Sequence, residues 1–437
     1  MADEADVLRI LPGRLAGAVA APPSKSIAHR ALLCAWLAGD PACVRGVGPG
    51  TSNDIDATLG CLAALGAVRP GPLGERRAPP EIPKPVLLDC GESGTTLRLL
   101  VPIVAALGRA ATFEGRGRLP QRPIGEYLAM LNGRGVLLSP PPAGSLPLGL
   151  RGRLLPGDFT VPGGVSSQYV SGMLLALPLL PGDSTLRVAG RLESAPYVDL
   201  TIAVQKAFGV SVERIPASGP VFRIPGGQSY RPVSYGVEGD WSNAAFWLVA
   251  SFLGSKLRVD GLDEASAQGD RAVRAILARF AAADAGGAGA PEDAPDGLIV
   301  VDAAQIPDLV PILAVAAAGC ARDVRFVNAG RLRLKESDRL ASTADALHRI
   351  GAEAEASEDA LLVRGRGAGA DDGRPLFAGG EADAWNDHRI AMALAVAGLR
   401  SRDGVAIRGW RAVEKSYPSF FDEFRRLGGE VHGIDVR

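Results

Sequence analysis

Residues 386–398 read NDHRIAMALAVAG: four polar residues, Asn386, Asp387, His388 and Arg389, open a run that is apolar on nearly every side of a helix. A helix apolar all round belongs inside a protein rather than on its surface. Five other places repeat the pattern, a short polar opening before an apolar stretch of about 10–16 residues. They open at Ser24-Lys25-Ser26, Ser93-Gly94-Thr95, Ser166-Ser167-Gln168, Ser242-Asn243 and Asp308. One cap-type residue from each of the six (Ser24, Ser93, Ser166, Ser242, Asp308, Asp387) gives spacings of 69, 73, 76, 66 and 79. Ser, Asp and Asn are the residues that cap helix starts. Six buried helices are therefore expected, each beginning at one of these residues. If their N-termini converge, free N–H groups and positive dipole ends make a site suited to anions.

Between the helices lie strand-like runs: Pro85–Asp89, Ser184–Val188, Leu257–Val259, Leu298–Val301 and Asp323–Val327. Strands alternating with helices predict an α/β fold. Units of this length group naturally as three per domain in two domains, with the chain crossing between them near Pro22–Pro23 and Glu238–Asp240. The expected domains are 23–239, and 1–22 with 240–437. Pro102, Pro178 and Pro311 fall inside three of the helices and are expected to kink or shorten them. Stretches rich in Gly, Pro or Ala and charge, at 70–85, from Ser139, at 281–297 and at 365–380, read as surface connections.

The whole-chain numbers exclude several classes. A formal net charge of -1 over 437 residues argues against a general nucleic-acid or membrane surface. The five cysteines (Cys34, Cys43, Cys61, Cys90, Cys320) are scattered with no CxxC pair, which predicts reduced thiols in a cytoplasm and no metal site. The start, MADEADVLRI, lacks the basic and apolar regions of a signal peptide. No apolar run reaches the length of a membrane span. Neither a Walker loop nor a GxGxxG after a strand calls for a nucleotide.

Lysine is rare: only six (25, 84, 206, 256, 335, 415) stand among 47 Lys and Arg, and three of the six fall in polar signatures. Lys25, Arg30, Arg98, Lys335, Arg339, Arg389 and Lys415, with Arg122 as an eighth, make a set of cations that Asp308 and Glu336 accompany. Such a set expects a ligand with several negative charges, with the carboxylates placed for proton transfer. Gly94 lets backbone approach that ligand, and the Ser and Thr hydroxyls around it donate to oxyanions.

Ten ordered segments carry a resemblance: PPSKSIAHR, LDCGESGTTLRLL, LPQRP, SSQYVSGMLLALPL, SAPYVDLT, GDWSNAAFW, IPDLVPILAVAAA, LKESDRL, WNDHRIAMA and EKSYPSFF. From about Leu8 to Arg426 the chain resembles the 5-enolpyruvylshikimate-3-phosphate synthases. The resemblance implies two similar domains, each of three βαβαββ units with buried helices (an inside-out α/β barrel), with the active site in the interdomain cleft. It implies transfer of enolpyruvyl from phosphoenolpyruvate to the 5-hydroxyl of shikimate 3-phosphate, with release of phosphate and no cofactor. A monomer is the family default.

Position by position, it implies shikimate 3-phosphate contacts at Lys25, Ser26, Arg30, Ser166, Ser167, Ser194, Tyr197, Asp308 and Lys335, with Gln168 stacking beneath the ring. It implies phosphoenolpyruvate contacts at Lys25, Gly94, Arg122, Gln168, Arg339, Arg389 and Lys415. Asp308 takes the role of base for the 5-hydroxyl; Lys25 and Glu336 both remain candidates to protonate the vinyl carbon. Glu92, His29 and Arg331 depart from the Asn found at these places in other members. Gly94 rather than Ala implies room for glyphosate, hence sensitivity to it. Two other readings make different demands on the sequence. The sister transferase acting on UDP-N-acetylglucosamine carries a Cys in the loop that here reads GRGRLPQRP (115–123). A non-catalytic binding protein on the scaffold predicts loss of Asp308, Lys25 or Glu336, and all three are present.

Overall fold

The computed structural model describes residues 7–67, 84–217, 219–284, 297–366 and 374–433. The chain divides into two compact units, Pro23–Glu238, and Met1–Pro22 with Gly239–Arg437. Gly239, placed by the motifs with the first of these, belongs to the second. Its N–H bonds to the Gly261 carbonyl at 3.2 Å, and a Cβ there would collide with that carbonyl.

In the Pro23–Glu238 unit the helices are α1 (Lys25–Leu37), α2 (Asn53–Leu65), α3 (Gly94–Ala106), α4 (Gly125–Leu131), α5 (Ser167–Ala176) and α6 (Ala195–Ala207). Two four-stranded sheets repeat one topology. In the first, Val86–Asp89 runs parallel to Ala111–Glu114, which pairs antiparallel with Leu148–Gly152, itself antiparallel to Val136–Ser139. In the second, Asp158–Pro162, Ser184–Ala189, Val221–Ile224 and Glu213–Ile215 follow the same order. Each is a complete βαβαββ unit, its parallel pair joined through a buried helix as such crossovers require. The third place holds α1, α2 and the short parallel pair Val44–Arg45 with Tyr235–Gly236.

The other unit has α7 (Trp241–Phe252), α8 (Val273–Asp284), α9 (Val310–Ala318), α10 (Arg339–Arg349), α11 (His388–Gly398) and α12 (Phe420–Arg426). Ile299–Asp302, Val324–Val327, Leu361–Val363 and Ala354–Ala356 form one βαβαββ sheet. The other is completed by the start of the chain: Val7–Ile10 lies between Val405–Arg408 and Val431–His432, with Gly380–Asp383 beyond. Ala16–Ala20 pairs parallel with Lys256–Asp260. The expected connections at 70–85 and 281–297 lie mostly, and that at 365–380 partly, outside the described residues.

Every side chain from Ile27 to Leu37 in α1, from Val310 to Ala318 in α9 and from His388 to Gly398 in α11 is buried. At about 1.5–3 kcal/mol for each large apolar side chain removed from water, these helices supply much of each unit's core. The prolines act differently from one another. Pro178 ends α5 in a 3-10 turn, Leu177–Leu179. Pro311 stands in the first turn of α9, where a missing N–H costs nothing. Pro102 lies inside α3, which runs on past it. A proline there deprives the carbonyl four residues back of its donor; that carbonyl is Arg98 O, and the Tyr127 hydroxyl donates to it instead. Gly172 of α5 faces the same carbonyl and hydroxyl so closely that a Cβ would strike both.

The helix starts are only partly as the spacing predicted. Ser93, Ser166 and Asp387 each cap with the side chain. Ser24 takes the cap position of α1 without a side-chain bond. For α7 the cap is Asp240, accepting from Asn243 N at 2.9 Å, and Ser242 lies two residues inside it. Asp308 does not open α9; Leu309 holds that position without a cap bond, and the Asp308 carboxylate is engaged by cations instead.

Candidate active site

In the Pro23–Glu238 unit, the first two turns of α1 carry Lys25, Ser26, His29 and Arg30. Lys25 Nζ pairs with Asp54 Oδ2 of α2 at 2.8 Å. Arg30 is buried among neutral acceptors: Nε donates to Thr201 Oγ1 (2.7 Å), Nη1 to Ser26 O (2.6 Å), and Nη2 to Ser171 Oγ (3.2 Å) and Tyr197 O (3.1 Å). Burial pushes its pKa down to about 10, but it stays a cation at neutral pH. A fixed charge held by neutral dipoles keeps its field for an outside anion.

The second cluster surrounds the start of α3. Arg98 Nη1 donates to Gln168 Oε1 at 2.8 Å, and Gln168 Nε2 donates to Thr95 Oγ1 at 2.8 Å, so the amide is fixed from both ends. The Arg98 guanidinium also lies over the Tyr169 ring, 5.3 Å from its centroid. Arg122 covers Gly94: a Cβ on Gly94 would lie 2.6 Å from Arg122 Nη1 and 3.1 Å from Arg98 Nη1. The Glu92 carboxylate packs over Gly117, whose φ of +61° favours glycine. Ser166 and Ser167 open α5, and Ser194, in the left-handed region at φ 53°, precedes α6 with Tyr197 in its first turn.

In the other unit Asp308 gathers the charges. Its Oδ1 accepts from Arg339 Nη1 (2.9 Å) and Lys335 Nζ (3.4 Å), and its Oδ2 from Arg389 Nη2 (3.2 Å). Burial opposes its charge, yet Arg389, Lys335, Arg339 and His388 hold the carboxyl well below the usual range. Lys335 is pushed down to about 8, chiefly by burial, with Arg339 and Arg331 adding to the effect against Asp308 and Glu336. Arg339 Nη2 reaches Glu336 Oε2 at 2.5 Å. Behind it stands Asp387, taking Arg339 Nε (2.9 Å), Arg389 N (2.9 Å) and Ser337 Oγ (3.1 Å). Arg389 Nη2 also donates to Ser242 Oγ at 2.8 Å. Lys415 Nζ donates to Asn386 O at 2.7 Å, and Trp385 and Asn386 both have positive φ (54° and 53°). Two successive non-glycine residues in that region are strained, a condition typical of functional sites. Arg331 Nη2 bonds to Ala304 O at 2.9 Å.

Within one unit, then, the structure gathers Asp308, Lys335, Glu336, Arg339 and Arg389. Within the other it gathers Gly94, Arg122 and Gln168, and separately Ser26, Arg30 and Tyr197. Lys25 and Glu336, the two candidate proton donors, belong to different units. Asp54 and the ion-pairing role of Asp387 escaped sequence reasoning, so the excess of cations is smaller than the motifs alone implied. Asp387 was legible only as a cap, which it also is. Asp54 had one weak signal, its place two residues after Ser52, a cap residue opening α2. Among the described residues no group of His, Cys, Asp or Glu has the arrangement of a metal site, and no helix is long and apolar enough to cross a membrane.

The profile of the EPSP synthase family (3-phosphoshikimate 1-carboxyvinyltransferase) matches residues 11–424. The chain is 40% identical to a 3-phosphoshikimate 1-carboxyvinyltransferase of Clostridium acetobutylicum, over 97% of this chain and 98% of that one. A Clostridium kluyveri protein of the same description is also 40% identical, over 97% of each. Among solved structures, the EPSP synthase of Acinetobacter baumannii superposes with a TM-score of 0.74 at 26% identity, covering 98% of this chain and 99% of that one. Fold, motif order and likeness over nearly the full length agree: the chain belongs to the EPSP synthase family.

Proposed function

We propose how the two sets of residues divide the EPSP synthase reaction, in which enolpyruvyl passes from phosphoenolpyruvate to the 5-hydroxyl of shikimate 3-phosphate. Lys25, Ser26, Arg30, Ser166, Ser167, Ser194, Tyr197 and Lys335 bind shikimate 3-phosphate, with Gln168 beneath the ring. Lys25, Gly94, Arg122, Gln168, Arg339, Arg389 and Lys415 bind phosphoenolpyruvate. The 5-hydroxyl oxygen adds to C2 of phosphoenolpyruvate while C3 takes a proton from Lys25 or Glu336; the hydroxyl proton goes to Asp308. Loss of phosphate and of a C3 proton from the tetrahedral adduct then gives the enol ether. Held in place by cations on both phosphates and the carboxylate, the partners react without further groups. We further propose a monomer, working in a reducing cytoplasm in keeping with its five free cysteines, and competition of glyphosate with phosphoenolpyruvate.

The observation that carries this reading is Asp308 ringed by Lys335, Arg339 and Arg389. With all three on it, the carboxylate is a poor base. Each cation has a substrate anion to turn to, and as they turn Asp308 regains basicity where the 5-hydroxyl needs it. The test is phosphate release that requires both substrates. Asp308→Ala is expected to lower kcat by about 10²–10⁴ while calorimetry shows shikimate 3-phosphate still binding. Unchanged turnover would remove Asp308 from this role.

A further inference from the structure

One chain of short contacts ties α1, α2 and α3 together and ends beside Gly94. His29 Nδ1 lies 2.8 Å from Thr58 Oγ1, Thr58 Oγ1 lies 2.7 Å from Thr96 Oγ1, and Thr96 Oγ1 donates to Ser93 Oγ at 2.8 Å. None of the four residues is more than 1% exposed. On α1 and α2 the links form successive rungs: Lys25 with Asp54, then one turn deeper His29 with Thr58.

The hydrogens of this chain can be placed. His29 Nε2 is buried with no hydrogen-bond partner. A buried N–H left without an acceptor is rarer and more costly than a bare lone pair, so the ring hydrogen sits on Nδ1 and is donated to Thr58. Burial, then Lys25 and Arg30, keep the imidazole neutral by lowering its pKa well below the usual value. The Thr58 hydrogen has two acceptors, Thr96 Oγ1 at 2.7 Å and the Asp54 carbonyl at 3.4 Å, and the short contact is the stronger. Thr96 likewise has two acceptors, Ser93 Oγ at 2.8 Å and the Asp54 carbonyl at 3.4 Å, and the shorter takes its hydrogen; Ser93 Oγ also accepts the capping bond from Thr96 N at 3.2 Å. Both lone pairs of Ser93 are then filled. Its one remaining group is a hydroxyl hydrogen, at the start of α3 and next to Gly94.

We infer that His29 is a positioning residue for phosphoenolpyruvate: through Thr58 and Thr96 it orients the Ser93 hydroxyl as a donor toward the anion bound at the start of α3. This rests on the proposed placement of phosphoenolpyruvate at Gly94 and Arg122. The opposite polarity would turn a Ser93 lone pair toward that anion and repel it. A donor of this kind is worth more to a charged acceptor than to a neutral one.

Steady-state kinetics with each substrate varied tests the inference. His29→Leu fills the space without a donor and is expected to raise KM for phosphoenolpyruvate about tenfold, the scale of one charge-assisted hydrogen bond. Its kcat and its KM for shikimate 3-phosphate should stay within about twofold. In His29→Asn an amide N–H takes the place of Nδ1–H, and KM for phosphoenolpyruvate should return to within about threefold of the parent. Thr96→Val should match His29→Leu, and the double variant should add little to either. A parental KM for phosphoenolpyruvate in His29→Leu, parallel losses that His29→Asn does not rescue, or full additivity would each overturn the inference. Should His29→Leu not fold, Thr58→Val breaks the next link and carries the same expectation. Gly94→Ala separates the two readings. If it leaves KM for phosphoenolpyruvate unchanged, the placement of that substrate fails, and the inference with it. If it raises KM while His29→Leu does not, only the role of His29 falls.

Discussion

Arg339 and Asp387 form an ion pair closed to solvent, Nε to Oδ2 at 2.9 Å, with side chains 1% and 0% exposed. The carboxylate takes the guanidinium edge-on, with Nη2 also donating to Oδ1 at 3.3 Å, while Nη1 reaches Asp308 and Nη2 shares itself with Glu336. Removing one member of such a pair strands the other's charge. Asp387→Ala is therefore expected to cost about 3–5 kcal/mol in urea unfolding. Asp387→Asn keeps the shape and frees Arg339 to move, so it should fold and show a KM for phosphoenolpyruvate raised about tenfold or more.

Lys335 gives the enzyme an alkaline limit. With its pKa at about 8, the ammonium is lost as pH rises through that value, where an ordinary lysine would stay charged to about 10.5. The kcat/KM for shikimate 3-phosphate should fall above pH 8, and Lys335→Arg, whose guanidinium does not titrate there, should flatten the fall. A parent profile level to pH 9.5 would contradict this. The effect on stability has the opposite sense: between about 8 and 10.5 the unfolded chain binds more protons at this lysine than the folded one, so its contribution to stability rises with pH across that window.

Gly94→Ala should act through Arg122. The new methyl would sit 2.8 Å from Arg122 Cζ, and the guanidinium, a flexible end, must move aside. KM for phosphoenolpyruvate is expected to rise by about tenfold, the worth of one displaced charged contact. Inhibition by glyphosate should weaken at least as much, measured as a competitive inhibition constant. Equal glyphosate inhibition in parent and variant would count against a shared pocket.

Tyr127→Phe tests the repair of α3. Without the hydroxyl, Arg98 O has neither its helical donor, removed by Pro102, nor its substitute. A buried carbonyl left unsatisfied costs about 1–3 kcal/mol, to be read as a lower urea midpoint. Because the same Arg98 holds Gln168, activity should fall beyond what the stability change explains.

The α/β class, the buried helices and the strands at Val86–Asp89, Ser184–Ala189 and Val324–Val327 were legible because apolar period and length carry them directly. The ordered motifs gave the family. Which polar residue faces inward was less legible. Asp308 and Ser242 read as caps because a cap and a ligand use the same side chains; what decides is Arg339 and Arg389, distant in sequence, for Asp308, and Asp240, two residues back, for Ser242. Asp54 and the hydroxyls of Thr58 and Thr96 acquire meaning only when α2 and α3 lie against α1, which no local pattern states. Pro102 was expected to kink or shorten its helix, yet α3 runs on past it, since Tyr127, 25 positions further along, supplies the donor it lacks.

The pairing of Val7–Ile10 with Val405–Arg408 and Val431–His432 has a consequence for biosynthesis. A ribosome delivers the first strand some four hundred residues before its partners exist. The Pro23–Glu238 unit is continuous and emerges whole in the meantime, free to fold while the opening segment waits. The last strands thus act as a completion signal: a chain truncated before Val405 leaves Leu8 and Ile10, fully buried in the finished protein, exposed for chaperones and proteases to find.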